Sequence, residues 1–194
     1  MDKYQLTALL KSHGGNHVYN NFLLTEDTWI FKKNFPKDPL EKYHEFKIKI
    51  SQELNVSVKN IAIFGSAKFG FSLNPANGFR EFNEKSDIDL VVVSRDAYAE
   101  LWNAYYEWTR TIIGSGKVSY NEIAKSVFKH HVSVKSDELT GDQLKYFHTW
   151  VQKVDKLKLS LQTKFLLPEE INYRVYDDWK YVEHYYSDGL DKLI

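Results

Sequence analysis

The chain has 194 residues, with 26 Lys plus Arg balancing 26 Asp plus Glu, and no cysteine. Zero net charge excludes a global field that would draw it onto long nucleic acid or an anionic membrane, and the absence of cysteine excludes a disulfide framework and a thiolate metal site. A composition 43% hydrophobic and 15% aromatic suffices for one core, so a single domain over 1–194 is expected.

The opening "MDKYQLTALLKSHGG" carries an acid at its second position and no apolar run of signal-peptide or membrane-span length. A cytoplasmic protein with no membrane partner is therefore expected. Residues 3–12 predict a short helix, and "GGNHVYNNF" reads as a loop. "DTWIFKKNF" alternates weakly, as an edge strand or hairpin arm would. From Pro39 to Leu54, Tyr43, Phe46, Ile48, Ile50 and Leu54 predict an amphipathic helix ending near Asn55. "VKNIAIFGS" predicts a core strand closed by Gly65. Residues 72–86, with turn signals at Pro75, Asn77 and Gly78, read as a loop or short hairpin.

"DIDLVVVS" predicts the clearest strand, with Asp96 placed to cap the helix that follows. That helix sets Leu101, Tyr105, Trp108 and Ile112 on one face. Residues 118–137 are ambiguous. A longer helix from about Asp142 to Phe165 carries Leu144, Phe147, Val151, Val154, Leu157, Leu161 and Phe165 on one stripe. "EINYRVYD" alternates as a strand, and a last helix beginning near Asp177 or Asp178 turns Trp179, Val182 and Tyr186 inward. The helical block 98–166 reads as an insertion before the last strand of an α+β fold.

Two stretches carry chemistry. Asp87 and Asp89 lie two apart on a strand, so both leave one face, and their mutual repulsion favours a divalent cation between them. Carboxylate oxygens are the ligands Mg²⁺ prefers, and metal ions so held stabilise phosphoryl or nucleotidyl transfer. The second stretch is "IAIFGSAKFGFSL". Its Gly65-xxxx-Gly70 spacing is that of a P-loop, but Phe71 stands where a P-loop needs lysine, and the acids begin a strand rather than end one. His130 and His131 are adjacent, so they face different ways and do not form a zinc pair. The aromatics of "AYYEW" and "VEHYY" have the spacing to stack a base, but aromatic stripes at helical spacing are more often core.

"IFGSAKFG" followed by "SDIDLVVV" resembles the DNA polymerase β-like nucleotidyltransferase superfamily. The resemblance implies that family's sheet with flanking helices. It also implies a phosphate-binding turn at Gly65 and Ser66, and metal ligation by Asp87 and Asp89. Lys68, Gly70, Ser72 and Ser86 are the further nucleotide-binding candidates. The family's third acid lies in a strand reading apolar-Asp-apolar-Arg. Residues 171–174 read Ile-Asn-Tyr-Arg, which puts Asn172 in the acid's place and Arg174 at the basic position, with Glu169, Glu170 and Asp177 as alternative third acids. An amide oxygen can ligate Mg²⁺ but brings no charge and cannot act as a base.

The implied activity is metal-dependent, template-independent transfer of a nucleotidyl group from an NTP or dNTP, with Mg²⁺ or Mn²⁺, to a hydroxyl acceptor. A short oligonucleotide 3′-hydroxyl or a partner protein suits the neutral charge better than a long nucleic acid. A bacterial defence or toxin–antitoxin setting, with an effector or toxin as partner, is a family-level expectation. The competing expectation is a catalytically impaired regulatory or binding subunit, which Asn172 favours.

Overall fold

The computed structural model describes residues 1–74, 77–112, 126–135, 139 and 141–194. The turn signal at Pro75, much of the ambiguous stretch 118–137 and the side chain of Ile112 lie outside the described residues.

Helix α1 (Lys3–Val18) starts on a capping box: the Asp2 carboxylate accepts from the Tyr4 and Gln5 amides, each at 2.9 Å, while the Gln5 side chain accepts from the Asp2 amide at 2.9 Å. It does not give way to a loop at Gly14. The chain kinks there, at φ 79°, and continues through Val18 into a π-helical turn, Tyr19–Leu23. The cause is tertiary. A side-chain carbon at Gly15 would sit 2.4 Å from the Ser187 carbonyl, so the glycine pair lets α1 close onto the C-terminal helix. The predicted edge strand is also a helix, α2 (Trp29–Asn34). Its neighbours Ile30 and Phe31 are both buried, and Phe31 packs its ring against Tyr43, Phe46 and Phe165, an arrangement that strand alternation would not allow. Helix α3 (Pro39–Leu54) ends as expected, on Asn55 in the left-handed conformation (φ 54°).

Strand β1 (Ile61–Phe64) leads into a single helical turn, α4 (Ser66–Phe69), and β2 (Ile88–Val93) into α5 (Arg95–Ile112). The cap of α5 is Ser94, whose hydroxyl accepts from the Ala97 amide at 3.3 Å; Asp96 lies inside the first turn instead. The block expected to be helical contains a short strand, β3 (His131–Ser133), ahead of α6 (Gly141–Phe165). On α6 the expected stripe is buried except for Leu144, and Trp150 joins it. Strand β4 (Ile171–Tyr176) and helix α7 (Trp179–Asp191), capped by Asp178, complete the chain.

The fold is α+β. Among the described residues the sheet has four strands in the order β1-β2-β4-β3, in which β2 and β4 run parallel and the two outer pairs are antiparallel. Side-chain parity divides it. Ile61, Ile63, Ile88, Leu90, Val92, Val132, Ile171, Tyr173 and Val175 face one core, covered by α2, α3, α5 and α6. Phe64, Val91, Val93 and Tyr176 face a second core, built from α1 and α7. With helices on both faces, β4 is buried at every position except Arg174, so the alternation in its sequence does not mark a solvent face. Among the described residues no helix is long and apolar enough to cross a membrane.

Candidate functional site

The face covered by α1 and α7 is not apolar along its whole length. Moving back along β2 from Val93 and Val91, the next residues of the same parity are Asp89 and Asp87. On β4, moving back from Tyr176, they are Arg174 and Asn172. The register pairs Phe64 with Asp89, which sets the turn after β1 directly beside the acids. Gly65 there has φ 67° and ψ −147°, and a side-chain carbon on it would lie 2.5 Å from Asp89 Oδ2. Only glycine meets both demands, since a β-carbon opposes both that backbone conformation and the carboxylate's approach. The glycine turn and the Asp-x-Asp strand thus form one constellation.

Asp89 is 19% exposed and pairs with Arg174, whose Nε donates to Asp89 Oδ1 at 3.2 Å. Burial raises its carboxyl above the usual range; Arg174 opposes that shift, the charge of Asp87 adds to it, and Lys135 opposes it again. Asn172 is directly opposite Asp89 in register, yet its Nδ2 donates to Asp87 Oδ2. Arg174 is held from its far side too: its Nη1 donates to the Tyr185 hydroxyl at 3.0 Å, with the guanidinium 5.5 Å from the ring centre.

No family model, curated protein or solved structure matches the chain.

Not every residue singled out from the sequence comes to this place. Ser66 does, half-buried at the start of α4, but α4 is only four residues long and gives little more than one turn of oriented amides. Lys68 does not. It is buried, its ammonium donates to the Thr25 carbonyl, and desolvation pushes it down to about 8, so it joins α4 to the loop before α2. Gly70 is a packing glycine, because a β-carbon on it would lie 2.7 Å from Trp29 Nε1. Ser72 and Ser86 brace the intervening loop. The Ser72 hydroxyl accepts from the Asn74 amide at 3.2 Å and from the Asn77 side chain at 3.1 Å, and Ser86 accepts from the Asn83 amide at 3.1 Å.

Two of the alternative third acids are engaged elsewhere. Glu170 pairs with Lys158 at 2.7 Å. Asp177, past the opposite end of β4, lies 3.9 Å from Arg95 and 3.6 Å from His130. Glu169 is buried with one carboxylate oxygen lacking a hydrogen bond. Among the described residues no three His, Cys, Asp or Glu gather where they could hold a metal. His130 and His131 do face different ways. The first stacks on Tyr181 at 3.8 Å, and the second packs against Tyr176 and Tyr185.

Two participants were not singled out from the sequence. Tyr185 was grouped with core aromatics, and only its position one residue before the buried Tyr186 hinted that it turns to a different side. Lys135 follows the alternating "HVSV", a pattern that would have placed it at a strand's end. Chemically, the site offers two carboxylates, an amide and a guanidinium on one face beside a glycine turn. That donor set suits Mg²⁺ or Mn²⁺ arriving with a polyphosphate, since Mg²⁺ is commonly held by one or two carboxylates while substrate phosphates and water complete its shell. It does not suit a metal held by protein ligands alone.

Proposed function

We propose that the protein is a nucleotidyltransferase of the polymerase β-like kind, acting on an NTP or dNTP and a hydroxyl acceptor. The observation that supports this most is the contact between Gly65 and Asp89, because it joins the phosphate-turn candidate and the acid pair into one site with a direct steric demand.

In this reading Asp87 and Asp89 hold the divalent ion that accompanies the triphosphate, and that ion supplies neutralisation of the charge developing on the phosphate oxygens. Gly65 allows the backbone to approach the phosphates, and the Ser66 hydroxyl is within the same turn to donate to them. Arg174, held between Asp89 and Tyr185, fixes the Asp89 carboxylate and offsets its charge. An acceptor hydroxyl attacks the α-phosphorus and gives up its proton to solvent, the bond from the α-phosphorus to the bridging oxygen breaks, and pyrophosphate leaves. The chain's main contributions are positioning and preorganised charge. A short oligonucleotide or a partner protein is the proposed acceptor.

A second reading has its own support. The Asn172 amide donates to Asp87 where the third acid of such sites would stand, and this favours a nucleotide-binding regulatory subunit without transfer. The deciding experiment incubates the purified protein with each labelled NTP and dNTP plus Mg²⁺ or Mn²⁺, beside an Asp87→Ala, Asp89→Ala variant. A nucleotide ladder or a self-labelled band that disappears in the variant establishes transfer. Nucleotide binding without pyrophosphate release, with oligonucleotide and protein acceptors present, establishes the regulatory subunit.

A further inference from the structure

The internal partners of the two acids carry a further consequence, which rests on the nucleotide-binding reading above. Each aspartate has one oxygen engaged by a side chain from β4: Asp87 Oδ2 accepts from Asn172 Nδ2, and Asp89 Oδ1 accepts from Arg174 Nε at 3.2 Å. Asp89 Oδ2 faces the Gly65 turn. Among the described residues neither Asp89 Oδ2 nor Asp87 Oδ1 has a hydrogen bond. The acids' uncommitted oxygens therefore include one turned toward the phosphate side, while on the β4 side each carboxylate meets a nitrogen donor.

A second cation in a two-ion transfer site must neutralise the attacking oxygen, and for that it needs carboxylate or carbonyl ligands on the side away from the nucleotide. Here that side presents an amide N–H and a guanidinium, neither of which ligates a cation. Rotating the amide would offer a neutral oxygen only by giving up the hydrogen bond to Asp87. Arg174 already supplies positive charge beside Asp89. We infer that the site takes one divalent cation, the one that arrives with the nucleotide, and that Asn172 is the residue that excludes the second.

The test counts bound Mn²⁺ by the loss of its free electron paramagnetic resonance signal. Wild-type protein and Asn172→Asp, each in excess over α,β-methylene triphosphate so that all of the analogue is protein-bound, are titrated with Mn²⁺; the analogue cannot undergo transfer. Equilibrium dialysis first identifies which base is retained. The expected result is one Mn²⁺ per nucleotide complex in wild type and two in N172D. N172D should also be the variant whose melting temperature rises more on adding Mn²⁺, because its third carboxylate is repelled by Asp87 until a cation separates them. Two ions in the wild-type complex overturn the inference while leaving the nucleotide reading intact, and this holds even if N172D does not fold. One ion in both proteins overturns the role of Asn172. Failure of wild type to retain any of the analogues overturns the nucleotide reading itself, and the inference with it.

Discussion

The two ends of β2 differ in what their side chains pack against. At its C-terminal end Val91 and Val93 lie under α1 and α7, and Leu90 and Val92 lie under the helices of the other face, so the strand is apolar on both sides. At its N-terminal end Ile88 still enters a core, but Asp87 and Asp89 face a neighbouring amide, a guanidinium and a glycine turn. Both ends obey the same two-residue alternation. What changes is what the face meets, apolar helix side chains at one end and polar partners at the other, and that second end is where charge is concentrated. A buried carboxylate is costly unless something compensates it, so keeping two acids there is understandable if a cationic ligand is to be received.

Substitutions at the two ends should therefore fail in different assays. The largest effect is expected from Asp87→Ala with Asp89→Ala. Nucleotidyl transfer should fall by at least about 10³-fold, since the charge stabilisation lost is several kcal/mol. The melting temperature should fall less than for the core substitution that follows; the reverse pattern would make the acids structural. Phe165→Ala, in the apolar core on the other face of the sheet where the ring meets Phe31 and Phe46, should cost about 3–5 kcal/mol and lower the melting temperature by roughly 10 °C, measured by circular dichroism.

His131 sharpens the comparison through pH. Burial, then the charges of Arg174 and Lys129, push it down to about 4 from 6.5. Because the unfolded chain takes up this proton first, its contribution to stability is complete above about pH 6.5 and is lost as pH falls toward 4. The linkage amounts to about 3 kcal/mol. Urea unfolding at pH 7 and pH 4.5 should show the loss, and His131→Gln should reduce it; an unchanged slope in the variant would remove His131 from the account. Gly65→Ala should cost about 1–3 kcal/mol through its left-handed backbone, and should lower transfer as well because the new carbon displaces Asp89. The smallest effect is expected from Asp178→Ala, which removes the acceptor for the Lys180 amide (2.9 Å) at the start of α7. It should cost about 1 kcal/mol in a denaturant melt and leave nucleotide affinity unchanged.

Much of this was legible along the chain. The helix from Pro39, the strands around Ile61 and Asp89, the long α6 and the final strand and helix follow from apolar periodicity and turn residues, which are local properties. The N-terminal third was misread where tertiary contact outweighed local propensity. The Gly14–Gly15 pair looks like a helix stop, but it becomes the close contact between α1 and α7. "DTWIFKKNF" alternates like a strand, but it winds into a helix so that Ile30 and Phe31 enter the same core.

At the site, the sequence by itself determined that Asp87 and Asp89 share a face and that Gly65 closes a buried strand, because a period of two and a glycine's backbone freedom act between neighbours. Only the tertiary structure decided that Asn172 engages Asp87, that Arg174 is held between Asp89 and Tyr185, and that Lys68 is committed to Thr25 rather than to the site. The two acid partners lie 85 residues away from the groups they bind. The register in which β4 lies along β2 sets which side chains meet, and that register follows from the packing of both sheet faces at once rather than from any single stretch of sequence.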